Sequence, residues 1–265
     1  MHVGHVSLPG DAPPTSDVPA GLLELRAPDA RRDAAVFEAI STGRSRCAQV
    51  SGVLDAAFQI PPGRSASGAL TLASTERQLA LMRLALSYGQ WPFWFTCACV
   101  ECGDLIDLKV SDTEFAIDAR VDPVPPSIDV QPDDAPARTF SVPSGFHEQL
   151  AETDADDPTL AVLRSCDRTG PEIGRSEASK WLDALDVVLS RHLSKAETEL
   201  VFACPHCGGE TSYWFDPLDW IARYSAGCFE EVHDLAAAYG WSEDAILSMT
   251  ASRRRIYLSM VRGTG

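Results

Sequence analysis

Two Cys-x-x-Cys-Gly knuckles, Cys99-Val-Glu-Cys102-Gly103 and Cys204-Pro-His-Cys207-Gly208, stand about a hundred residues apart. Strand-like sequence follows each of them, Asp104 to Val110 after the first and Glu210 to Phe215 after the second. One tetrahedral zinc can take two thiolates from each knuckle and so bind remote parts of a chain to each other. Glycine after the second cysteine permits a positive φ, which turns the backbone amides toward the sulfurs. Cys99, Cys102, Cys204 and Cys207 are therefore the expected ligands of a structural Zn2+. Cys97 offers a competing ligand, but only the pair at 99 and 102 reproduces the spacing at 204 and 207. Two unrelated pairs, redox-active or simply buried, are the competing reading; a thioredoxin-like pair opens a helix, whereas β-rich sequence follows both knuckles.

Four thiolates close the coordination sphere, and catalysis at zinc needs an open position. No His-Glu-x-x-His run, phosphate-binding glycine loop or Gly-x-Ser-x-Gly elbow occurs, so no enzyme is expected. His206, inside the second knuckle, and His233, among Glu231 and Asp234, read as solvated residues. Asp154, Asp156 and Asp157 lack the glycine and distal glutamate of a calcium loop, and capping of the next helix accounts for Asp157. Cys166 and Cys228 fall in apolar helical patterns and read as small core residues.

The formal charge of −16 argues against nucleic acid as the main partner. No stretch approaches the ~20 apolar residues of a membrane span. Residues 1 to 20 show no basic-then-apolar leader, and the expected location is cytoplasmic, where thiols favour metal over disulfides.

Along the chain, residues 1 to 20 read as a disordered segment, with Pro9, Pro13, Pro14 and Pro19 among small polar residues. Residues 21 to 265 read as one mostly helical α+β domain built on a split zinc ribbon, with an insertion at about 103 to 203. One or two short helices are expected before Ile60, a loop at Pro61 to Gly68, and a buried helix from Ser74 to Leu86 that Gly89 ends. Residues 91 to 95 read as an aromatic strand and 105 to 121 as another. The acidic, proline-rich stretch at 122 to 136 reads as an excursion away from any core. Phe140 to Pro143 is a short extended piece before a helix with His147 and Leu150. Asp157-Pro158 and Asp216-Pro217 each announce a helix start. A helix over Ser176 to Leu193 should bury Trp181 and Leu185. From Pro217 to Tyr239 the apolar period implies one long helix, stopped by Gly240. Ser242 caps a short helix, and a last one runs from about Ala251 to Met260.

Arg253-Arg254-Arg255 is the chain's only basic cluster. Three consecutive helical residues cannot all point one way, so a solvated face competes with a docking patch for an acidic neighbour or for another copy of this chain.

The segment Glu231 to Leu247, followed by Arg253-Arg254-Arg255-x-Tyr257-Leu258, resembles the ending of baseplate proteins of contractile phage tails and of phage-derived extracellular contractile injection systems. In that family a Cys-Pro-x-Cys-Gly stretch leads to an aromatic strand, an Asp-Pro-like start and a long helix, and Cys204 to Trp220 is similar in that order. The first knuckle and Phe140 to Pro143 follow the pattern too. The resemblance spans roughly 70 to 265 and is strongest over 200 to 260; Val100 departs from it where proline is usual, and 122 to 136 is a local addition. It implies a non-enzymatic part in building the baseplate, either as a component incorporated into the particle or as an assembly factor, with hub or baseplate proteins as partners. Trp241, Arg253, Arg254, Arg255 and Tyr257 are the expected partner-binding residues. A regulatory zinc ribbon and a redox-responsive zinc protein are the alternatives.

Overall fold

The computed structural model describes residues 23–60, 68–88, 91–115, 117–118, 125–133, 135–153, 156–170, 172–192, 195–196 and 198–263. The expected disordered segment at 1 to 20, most of the loop at 61 to 68, and Gly89 lie outside them. Within this range the chain is a mixture of helices and two-stranded antiparallel sheets.

Two helices open the fold, α1 (Ala30–Thr42) and α2 (Arg46–Ala57). Each begins where a side-chain oxygen accepts an orphan amide: Asp29 from the Arg32 N–H, Ser45 from the Ala48 N–H. The short strands β1 (Glu24–Leu25) and β2 (Phe58–Gln59) pair across their ends. Helix α3 (Ser74–Ser87) buries Leu79, Leu81, Met82 and Leu84. Its N-cap is Ala73, whose N–H donates to Glu76 Oε2 at 3.0 Å.

The knuckles sit at the tips of two hairpins. The first joins β3 (Phe93–Ala98) to β4 (Leu105–Val110), and the second joins β9 (Glu199–Ala203) to β10 (Glu210–Trp214). Strict alternation sets their faces. Phe95, Ile106 and Val110 turn inward and are buried, while Trp94, Thr96, Asp107 and Lys109 face out. After the second hairpin comes α7 (Pro217–Ser225), capped by Asp216 with proline at its first turn. Its Trp220 stacks on Trp91 at 5.3 Å and meets Phe93 edge-on at 4.6 Å, while Phe95 reaches Tyr213 at 4.8 Å. This aromatic pile unites both hairpins with α2, α3 and α7 in the main core. Each such ring pair adds about 1 kcal/mol beyond its buried area.

Between the hairpins the chain builds a second core. Strand β5 (Ile117–Asp118) pairs with β8 (Lys195–Ala196), and these two-residue strands bring the start and end of the intervening stretch together. Inside it, β6 (Ser127–Val130) pairs with β7 (Arg138–Ser141), followed by α4 (Gly145–Thr153), α5 (Pro158–Cys166) and α6 (Ala178–His192). Ile128, Val130, Phe140, Leu160, Leu163 and Trp181 are buried together. The proline-rich stretch at 122 to 136 thus requires correction as an excursion. Its residues 127 to 130 alternate, and the strand delivers Ile128 and Val130 to this core while Asp129 stays exposed. Likewise the strand expected over 105 to 121 ends at Val110, where a single 3-10 turn at Asp112–Glu114 intervenes.

Arg77 ties the two cores. It is 1% exposed, donating to Glu148 of α4 at 2.9 Å, to the Ala69 carbonyl at 2.8 Å and to the Cys47 carbonyl at 3.3 Å. A guanidinium is held in such a place only with its donors satisfied.

The C-terminal helices pack against one end of this body. The helix expected over Pro217 to Tyr239 is two helices, α7 and α8 (Gly227–Tyr239), separated at Ala226. The division lets Trp220 and Ile221 enter the main core while Cys228 packs on Ala30 and Ala34 of α1. Gly240 ends α8 at φ 67, the left-handed conformation a terminating glycine takes without strain. Then follow α9 (Glu243–Leu247), capped by Ser242, and α10 (Ala251–Arg262), capped by Thr250.

Candidate metal centre

The two knuckles have the same backbone. In the first, the Cys99 N–H donates to the Asp104 carbonyl at 2.9 Å and the Gly103 N–H to the Cys99 carbonyl at 3.0 Å. In the second, the Cys204 N–H donates to Gly209 at 2.8 Å and the Gly208 N–H to Cys204 at 2.9 Å. Gly103 and Gly208 take φ values of 77° and 74°. Side chains rarely adopt that region, so the glycine in each motif is a backbone requirement.

The hairpins present these tips to each other. Sγ of Cys99 lies 3.8 Å from Sγ of Cys207, and Sγ of Cys102 lies 3.9 Å from Sγ of Cys204. All four sulfurs lie within 4.8 Å of one another. A tetrahedron with metal–sulfur bonds of about 2.3 Å has edges of about 3.8 Å, so the donor set fits a tetrathiolate metal centre. Among the described residues no other group of His, Cys, Asp and Glu comes together in this way. The structure also places Cys99 rather than Cys97 in the cluster; Cys97 lies half-buried beside Ile106 and Leu108.

Contacts around the sulfurs suit negative charge. The N–H groups of Glu101, His206 and Gly209 point at Sγ of Cys99, Cys204 and Cys207, each at 3.4 Å. The Val100 N–H reaches across to Oγ1 of Thr211, a buried residue of the opposite hairpin, at 3.3 Å. Close approach is also visible at Gly209, where an added Cβ would stand 2.9 Å from Cγ of Glu101. The Cys102 and Glu101 amides hold the Cys99 thiol down at about 6. Although the Asp104 amide favours the Cys102 thiolate, burial and the adjacent sulfurs push that thiol up to about 12. Four sulfurs this close cannot all ionise without a cation between them. His206, as expected, is exposed and is no part of the donor set.

The remaining thiols differ in kind. Burial raises Cys47, pushes Cys166 up to about 11 and Cys228 up to about 12. Cys166 and Cys228 pack among apolar side chains as small, inert core residues, whereas the Cys47 thiol donates to the Gly145 carbonyl at 3.2 Å and lies 3.7 Å from the Arg77 guanidinium.

The expected partner-binding residues separate. Trp241 stacks on Tyr239 at 4.5 Å and meets Tyr257 edge-on at 4.9 Å, with Arg253 over the Tyr257 ring at 5.7 Å. Arg253 and Arg255 are exposed. Arg254 is not, and its expected docking role requires correction. It is 5% exposed, donates to Glu231 Oε2 at 3.0 Å and to the Met249 carbonyl at 2.8 Å, and thereby fastens α10 to α8. At a 100° turn per residue the middle of three arginines points away from its neighbours. Sequence reasoning missed Thr211 and the exposed Trp94 and Trp214, although strand alternation places each of them.

No helix among the described residues is long and apolar enough to cross a membrane. Comparison with family models, curated proteins and solved structures finds no match to this chain.

Proposed function

We propose that the chain is a non-enzymatic scaffold, stapled by a structural Zn2+, that serves as a component or assembly factor of the baseplate of a contractile, phage-tail-like particle. The observation that carries the metal reading is the closed set of four cysteine sulfurs at tetrahedral spacing, with backbone amides aimed at three of them. Thiolate ligands with no carboxylate or water position favour zinc over calcium or magnesium, and a closed sphere favours structure over catalysis. The zinc would hold the β3–β4 and β9–β10 hairpins together. Such sites contribute on the order of 10 kcal/mol of binding free energy, comparable with the net stability of a domain.

The baseplate reading rests on the resemblance over residues 200 to 260 and agrees with a surface that exposes Trp94, Trp214, Ile256 and Met260, side chains that protein contacts commonly cover. Its partners would be other baseplate or hub proteins, and its site of action the cytoplasm where particles are built. The test is deletion of the gene in cells that encode it, with particles counted by electron microscopy and their proteins identified by mass spectrometry. Loss of particles or baseplates supports the reading; normal yield of complete particles rejects it.

The exposure of Cys102 and Cys207 favours a second reading, a redox-responsive zinc ribbon. Mild peroxide would then release zinc and oxidise the thiols pairwise; retained zinc under those conditions rejects it.

A further inference from the structure

Among the described residues, two exposed features that no other element covers are complementary. The first is an open groove of about 800 Å3 between α5 and α6. Leu163 and Leu185 form its floor, Val162, Leu182 and Leu189 its walls, and on its rim stand the exposed carboxylates of Asp183 and Asp186. Neither carboxylate has an ion-pair partner among the described residues. The second is the outer face of α10. Arg254 and Leu258 hold the inner face, so the opposite side carries Arg253, Ile256 and Met260 at i, i+3 and i+7. Ile256 is 57% and Met260 65% exposed. That spacing is the one an amphipathic helix uses to anchor in a groove.

From this we propose that α10 of one copy docks in the α5–α6 groove of the next, so that the chain associates head to tail with itself. Ile256 and Met260 would enter the apolar trough, and Arg253 would meet Asp183 or Asp186 on the rim. Charge selects this pairing over a symmetric one. Two α10 faces would oppose Arg253 to itself, and two grooves would oppose their aspartates, whereas the helix–groove contact joins opposite signs. The net charge of −16 disfavours association at long range, but screening confines that repulsion to about 8 Å at physiological salt. A heterologous contact leaves one helix and one groove free at the ends, so addition continues into rings or open chains. A single helix in a groove is a small interface, and its expected Kd is on the order of 10 μM. The inference stands on the groove and the helix face alone and does not depend on the baseplate reading.

Sedimentation equilibrium of the full-length, metal-loaded chain tests it. The wild-type mass should rise past that of a dimer between about 1 and 100 μM. Met260→Glu alters only the helix face, and the double variant Asp183→Arg/Asp186→Arg only the rim; all three positions are exposed, and each variant should weaken association at least tenfold. Mixed in equal amounts, the two variants should form a dimer and nothing larger, because one supplies an intact groove and the other an intact helix. A wild-type chain that stays monomeric over this range overturns the proposal. So do variants that associate like the wild type, or a mixture that gives no dimer. Unchanged circular dichroism and metal content in both variants separate loss of contact from loss of fold.

Discussion

Arg254 and Arg255 are adjacent, alike and differently employed, which makes them a sharp test of the account at the residue scale. The Arg254 guanidinium is buried against α8, bonded to Glu231 and to the Met249 carbonyl, whereas Arg255 is exposed. Truncating Arg254 strands a half-buried carboxylate and a carbonyl; truncating Arg255 strands nothing visible in the structure. Arg254→Ala should therefore lower stability to urea by about 2 kcal/mol, and Arg255→Ala should change it by less than about 0.5 kcal/mol. Equal effects would contradict the assignment of Arg254 as an internal tie. The same pair explains why a basic run read as one patch in the sequence is not one in space. Composition records the charge, while the turn of the helix decides which guanidinium reaches water.

At the scale of elements, Asp216 links a helix cap to a tertiary contact. Its carboxylate accepts from the Leu218 N–H at 2.9 Å and from Arg46 of α2 at 2.8 Å. Although burial opposes ionisation, the Arg46 bond and the Leu218 amide hold its carboxyl below the usual carboxylate range. A depressed pKa stabilises the fold above the unfolded-state value of about 3.9 and loses that contribution as pH falls through the folded value. Asp216→Ala should thus cost about 1–2 kcal/mol at neutral pH, and the gap from wild type should narrow below about pH 4. A gap that stays constant down to pH 2 would show that charge plays no part in it. Elements with strong local signals were legible in the sequence: the Asp157-Pro158 and Asp216-Pro217 starts, the stop at Gly240, and the buried face of α3. Two elements were not. The break at Ala226 is invisible to a hydrophobic period, because Ile221 and Cys228 keep helical spacing while turning to different neighbours. The β6 strand is short and lies among prolines, and only the β7 strand and α6 packed against it reveal that Ile128 and Val130 face a core.

At the scale of the whole molecule, the knuckles bring the tips of the two main-core hairpins together across the second core's stretch of sequence. The stretch between them does not merely protrude: it carries its own core and is tied back through Arg77, Glu148 and the β5–β8 ladder. The donor set could be read from spacing because a Cys-x-x-Cys-Gly turn is a local structure with a fixed geometry. What spacing cannot supply is the mutual approach of the tips, which depends on the aromatic pile of Trp91, Phe95, Phe215 and Trp220 beneath them. Zinc K-edge X-ray absorption on the purified, full-length chain addresses the clasp most directly. The account predicts stoichiometric zinc with four sulfur neighbours at about 2.3 Å and no lighter ligand. A protein that retains no zinc, or holds it through oxygen or nitrogen, would contradict it.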